Sequence, residues 1–95
     1  MTALTHNLWA LFAEHLVVER GVARNTVLAY QQDFNQLQQF LQAAPLNEAN
    51  LQRYLAFLTA QGLSPRSQAR KLSMLRQLCR LLVQRQHLAV DPTAT

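Results

Sequence analysis

The chain has 95 residues, 49 % of them hydrophobic, with two glycines, three prolines, one cysteine and a formal net charge of +4. That length makes one domain, near the lower limit of what folds without metal or cross-links. One cysteine excludes an internal disulfide scaffold, no apolar run reaches the length of a membrane span, and the N-terminus lacks a signal-peptide pattern. The expectation is a soluble protein of the reducing cytoplasm, with no membrane partner.

Residues 1–5 read as a short leader. A first helix is expected from just after Thr5 to about Arg20, with Leu8, Leu11, Phe12, His15 and Leu16 on its inner face. Trp9, Val17 and Val18 add apolar surface around most of its circumference. Such a helix lies between two neighbours or offers part of itself to another molecule. Gly21 ends it, and a second helix runs from Arg24–Thr26 to about Ala43. Val27, Tyr30, Phe34, Leu37 and Leu41 form its inner stripe, while Asn25, Leu28, Gln32, Asn35, Gln36 and Gln39 face outward. Those amides suit base edges or phosphates, and they equally suit a bland solvated surface.

Pro45 breaks the chain, and Asn47 is placed to cap a third helix, with Glu48 near its positive end. Leu51, Tyr54, Leu55 and Leu58 give the third helix its buried stripe, and Gly62 ends it. Ser64 then serves as N-cap and Pro65 as first residue of a fourth helix reaching about Gln86. Leu72, Leu75, Cys79 and Leu82 mark its core side. Arg66, Arg70, Ser73, Gln77, Arg80 and Gln84 mark the opposite side. After Gln86 the chain loses helical periodicity over Leu88–Thr95. The reading is all-α, four helices with short connections, divided into a domain over 1–88 and the start of a linker over 89–95.

Charge singles out the fourth helix. Between Leu63 and Leu88 lie six basic residues and no acid, whereas the rest of the chain has three arginines against five acids. This asymmetry is the footprint expected for a polyanion partner, although a solvated helix face has the same composition. Catalytic signals are missing by contrast. His6, His15 and His87 have no ligand spacing with Cys79 or the carboxylates, and there is no Gly-rich phosphate loop. No metal, cofactor, small-molecule substrate or catalytic residue is expected within this stretch.

Three segments carry a resemblance. Glu19–Asp33, with Gly21, Arg24, Asn25, Thr26 and Tyr30, resembles the junction of the first two helices in tyrosine recombinases of the Xer and phage-integrase type. Gly62-Leu63-Ser64-Pro65-Arg66-Ser67, followed by Ala69–Arg76, resembles the start of their fourth helix. Val90-Asp91-Pro92-Thr93 is similar to the linker before their catalytic domain. Ala23 departs from the pattern, since many relatives have a serine there that could cap helix 2.

The resemblance implies a SAM-like, orthogonal four-helix core-binding domain. It forms half of a clamp around a recombination site, with helices 2 and 4 on double-stranded DNA. Carried onto this chain, helix 2 presents Arg24, Asn25, Thr26, Ala29 and Gln32, and helix 4 presents Arg66, Ser67, Arg70, Lys71 and Met74. Arg66 and Ser67 would meet phosphate at the start of helix 4, and Arg70 would suit a bidentate contact to guanine. The tyrosine nucleophile of the family lies in a C-terminal domain beyond these residues, so this stretch is expected to bind DNA without cutting it. Other recombinase protomers in a tetrameric synapse are implied partners, with Trp9, Val17 and Val18 as the contact surface. The rival reading is a helical protein–protein interaction domain whose basic helix recognises an acidic partner.

Overall fold

The computed structural model describes residues 4–94. Residues 1–3 of the expected leader and Thr95 lie outside the described residues. Four α-helices follow in order, α1 (His6–Glu14), α2 (Arg24–Leu41), α3 (Glu48–Ala60) and α4 (Pro65–Gln84), and no strand occurs among the described residues. The all-α reading holds. Among the described residues, no helix is long and apolar enough to cross a membrane.

The helix boundaries follow from local chemistry. Thr5 Oγ1 accepts from the Leu8 amide at 3.2 Å, so the end of the expected leader is the N-cap of α1. Leu4, just before it, is buried and its carbonyl accepts from Gln38 Nε2. Asn47 caps α3 through the Asn50 amide at 2.9 Å, and Ser64 caps α4 through the Ser67 amide at 3.2 Å, with Pro65 next in line. Ala23 stands at the N-cap of α2 and supplies no side-chain acceptor. Past the end of α4, Gln86 takes φ 63°, the His87 amide reaches the Leu82 carbonyl and the Gln86 amide reaches that of Val83. That is the Schellman closure usually given to glycine.

Helix 1 differs from the expected uniform α-helix. After Glu14 the chain widens into a π-helical turn, His15–Glu19, and the Arg20 amide bonds to the His15 carbonyl. Leu16 stays buried, while Val17 and Val18 are turned out to 53 % and 73 % exposure. Trp9 is not part of that outer surface. It is 8 % exposed and its ring packs on Phe12 and Phe34, at 5.9 and 5.3 Å between centroids. The site expectation for Trp9 is therefore corrected: its side chain is a core group wedged between α1 and α2.

The core gathers Phe12 and Leu16 of helix 1, Phe34 and Leu37 of α2, Tyr54 of α3 and Met74, Leu75, Leu78 and Leu82 of α4, each at 0 % exposure. Burying one such aliphatic side chain contributes about 1.5–3 kcal/mol. Leu88 packs on the edge of this core, and residues 91–93 lie partly buried near α3 and α4, Pro92 and Thr93 lining a hollow with Leu51, Leu55, Leu72 and Arg76. Asp91 Oδ1 accepts from both the amide and the hydroxyl of Thr93 there.

Candidate nucleic-acid interface

Helices α2 and α4 meet along a polar seam. Tyr30 of α2 shares hydrogen bonds with Ser73 at 3.1 Å and Gln77 at 3.1 Å, and Gln77 also donates to Ser73. Farther along α2, Asp33 and Gln36 meet Arg70 and Lys71, which lie nearer the start of α4. The two helices therefore cross in opposing senses, and their N-termini lie toward opposite ends of the seam. Ser73 and Gln77, read from sequence as outward groups, are partly buried in it.

Asp33 is the centre of the seam. Its carboxylate is fully buried and accepts from Arg70 Nε at 2.9 Å, Arg70 Nη2 at 2.8 Å and Lys71 Nζ at 2.8 Å. Lys71 also donates to Gln36 Oε1 at 2.7 Å, and the Tyr54 hydroxyl from α3 donates to the same oxygen at 3.2 Å. Among the described residues, no buried side-chain polar atom lacks a partner. Burial, with the nearby Asp33 charge, pushes the Tyr54 phenol far above its ordinary range, so it remains a donor. The hydrogen bond to Asp33 raises Arg70 still further above its already high value.

This arrangement sorts the candidate residues. Arg24, Asn25, Thr26 and Gln32 are exposed on α2, and Ala29 is partly exposed between them. At 100° per residue, Asn25, Ala29, Gln32 and Gln36 form a stripe flanking Asp33. On α4, Arg66 is exposed and forms no ion pair among the described residues, and Ser67 is partly buried, its hydroxyl accepting from Ser64. Arg70 keeps 40 % side-chain exposure despite its pairing. Lys71 and Met74 do not face outward. Lys71 is 7 % exposed with its ammonium held by Asp33 and Gln36, and Met74 is 0 % exposed in the core, so both are corrected to structural groups. Met74 lies about a turn past Arg70 and Lys71, on the core side of the seam.

The helix starts also differ from expectation. In α4, Pro65 has no N–H and the Ser67 amide is held by Ser64, so Arg66 provides the one uncommitted first-turn donor. In α2, uncapped by Ala23, the amides of Arg24, Asn25 and Thr26 receive no side-chain acceptor. The start of α2 thus leaves more first-turn amides without a side-chain acceptor than the start of α4. Arg80 is exposed on the same side of α4 as Arg66, whereas Arg85 shares a hollow with Glu14, His15 and Glu19, where His15 and Glu19 pair, and adds less net field.

Asp33 escaped the sequence reading although a signal existed. It sits at the i+3 position from Tyr30 and i−4 from Leu37, on the inner stripe of α2, and a carboxylate there demands a cation. The adjacent Arg70-Lys71 pair was the matching half. No cluster of three or more His, Cys, Asp or Glu side chains that could hold a metal occurs among the described residues.

Comparison with known proteins gives a consistent family. The family described as phage integrase, N-terminal SAM-like domain, matches residues 10–86. The tyrosine recombinase XerD of Agrobacterium fabrum is 41 % identical over 87 residues, covering 86 % of this chain and 26 % of that protein. The XerD proteins of Rhizobium meliloti and Pseudomonas putida are each 36 % identical over 98 residues, covering 98 % of this chain and 32 % and 33 % of their own lengths. The chain thus spans about a third or less of these curated relatives. No solved structure gave a significant match. The chain belongs to the phage integrase N-terminal SAM-like domain family, as the N-terminal domain of a XerD-like tyrosine recombinase.

Proposed function

We propose that this domain binds duplex DNA as half of a recombinase clamp, using the exposed flanks of α2 and α4 on either side of the Asp33 seam. The observation that carries the reading is the combination of an uncapped α2 N-terminus with the exposed Arg66 of α4, which forms no ion pair among the described residues, across a surface that otherwise offers amides and hydroxyls. Phosphates are held by the Arg24, Asn25 and Thr26 amides, by the Thr26 hydroxyl and by Arg66. Gln32 and Arg70 stand between these anchors, where a groove edge would pass. Residues 89–95 then lead toward a catalytic domain that cleaves and rejoins strands, a reading supported by relatives named as tyrosine recombinases. Other protomers meet the apolar surface at Val17 and Val18 when recombinases assemble on their sites.

Fluorescence anisotropy with a short labelled duplex, repeated over a range of salt concentrations, tests the reading. The chain should bind weakly, with affinity falling as salt rises by roughly one log unit per log unit of salt for each phosphate contact. Arg66→Ala should weaken binding and flatten that slope by about one contact. Absence of binding at low salt, or an Arg66→Ala variant indistinguishable from the parent, would sink it.

A further inference from the structure

We propose that Asp33 is a positioning residue for DNA recognition: it locks Arg70 by one edge of its guanidinium so that the other edge is aimed outward at a pair of acceptors on the nucleic acid. The inference rests on the DNA-binding reading above and deepens it.

The geometry is specific. Asp33 occupies the side-on edge of Arg70, taking Nε at 2.9 Å and Nη2 at 2.8 Å. The end-on edge, made by Nη1 and the second Nη2 hydrogen, is engaged by no group among the described residues. The side chain is 40 % exposed, whereas the carboxylate that grips it is fully buried. A long flexible arginine normally loses side-chain entropy when it forms a directed contact. Here that loss is incurred on folding, because both ends of the side chain are fixed. The plane of the guanidinium is set by the carboxylate, and the carboxylate is set by Lys71, itself tied to Gln36 and through it to Tyr54 of α3.

Charge alone does not account for this design. A domain selected only for attraction to a polyanion gains nothing from a buried carboxylate directly behind its central arginine, since Asp33 subtracts from the field. With Arg70 and Lys71 it leaves a single net positive charge at the seam. What the carboxylate supplies is orientation. The fixed end-on edge matches two coplanar acceptors, a chemistry shared by the O6 and N7 edge of guanine and by two phosphate oxygens.

Electrostatics and orientation predict opposite signs for one substitution. Asp33→Asn removes a negative charge from the DNA-facing side, so a pure field effect tightens binding, whereas loss of aim weakens it. By anisotropy on a short mixed-sequence duplex, Asp33→Asn should bind about tenfold or more weakly than the parent, while far-UV circular dichroism confirms the helical fold. Arg70→Lys keeps the charge and removes the planar fork, and it should bind weaker by a similar factor. It decides the matter alone if Asp33→Asn does not fold. Tighter or equal binding by Asp33→Asn, or parent-like binding by Arg70→Lys, overturns the proposal. A parent chain that fails to bind any duplex overturns the proposal together with the DNA-binding reading. A parent chain that binds duplex, with variants that bind as tightly as it does, overturns this inference alone and leaves the DNA-binding reading standing. Repeating Arg70→Lys on a duplex containing only A·T pairs separates the acceptors: an equal loss on both duplexes means phosphate, and a loss confined to the G-containing duplex means guanine.

Discussion

Replacing Asp33 by alanine should destabilise the fold severely, and replacing Lys71 by methionine should not. Asp33 accepts three charge-assisted hydrogen bonds. Bonds to charged groups contribute about 1.5–3 kcal/mol each. The two from Arg70 must be discounted, because that side chain is 40 % exposed and water replaces its partner. The bond from Lys71 dominates. Its side chain is 9 % exposed, and without Asp33 its ammonium keeps only the Gln36 oxygen. Stranding a buried cation in this way costs about 3–5 kcal/mol. Domains of this class are stable by only about 5–15 kcal/mol, so Asp33→Ala should lose a large share of the total. Its melting temperature should fall by ~12 °C or more.

Lys71→Met removes the charge and its need for a partner together. Arg70 still satisfies Asp33, Tyr54 still satisfies Gln36, and the loss should stay within about 1 kcal/mol. The double variant should recover most of the Asp33→Ala loss, which a double-mutant cycle measures directly. Urea unfolding followed by circular dichroism is the assay. An Asp33→Ala variant within 1 kcal/mol of the parent, or a Lys71→Met variant equally damaged, would refute the assignment of Lys71 as the dependent partner (the ~1 kcal/mol threshold being the net worth of an ordinary hydrogen bond).

Met74→Ala should cost about 2–5 kcal/mol in stability, and Met74→Leu less than about 1.5, with DNA affinity of the folded leucine variant unchanged; a binding loss in Met74→Leu would contradict its placement in the core. Ala23→Ser should cap α2 and raise stability by about 0.5–1 kcal/mol in thermal melts, and no change would mean that the Ala23 backbone does not present its side chain to the following amides. Burial, reinforced by Asp91, pushes the Cys79 thiol up to about 12. Its contribution to stability is complete below its ordinary value of 9.0 and is lost as pH rises toward 12. Cys79→Ala should therefore lose less stability than the parent between those pH values, and Ellman's reagent should label native Cys79 only as fast as the protein opens. Rapid labelling under native conditions would place the thiol at the surface.

Sequence made the helix ends legible because capping is local. Ser64-Pro65, Asn47, Gly21 and Gly62 each act within one turn of themselves, and each marks a helix end as expected. The inner stripe of α2 was equally plain, since Tyr30, Phe34, Leu37 and Leu41 repeat at the helical period and are buried. The errors arose where one element answers another. Arg70 and Lys71 differ by 100° on α4, and only the location of Asp33 on a separate helix decides that both turn toward it. Met74 lies close to the polar stripe in projection, and the burial of α4 against α2 takes it inside. The π-helical turn at His15–Glu19 leaves no compositional trace, although Leu16 within it stays buried and Val17 and Val18 stay exposed.

The polar seam has a consequence for insertions and deletions. Because α2 and α4 are keyed side chain to side chain, the spacing of their surface groups is set by helical rise and not by the loops between them. Residues added between 42 and 47 or between 61 and 64 leave that ruler intact. One residue added between Arg66 and Arg70 turns the two groups a further ~100° apart and moves them ~1.5 Å farther along the axis. Length variation among natural homologues should accordingly collect in the two connections and stop at the seam.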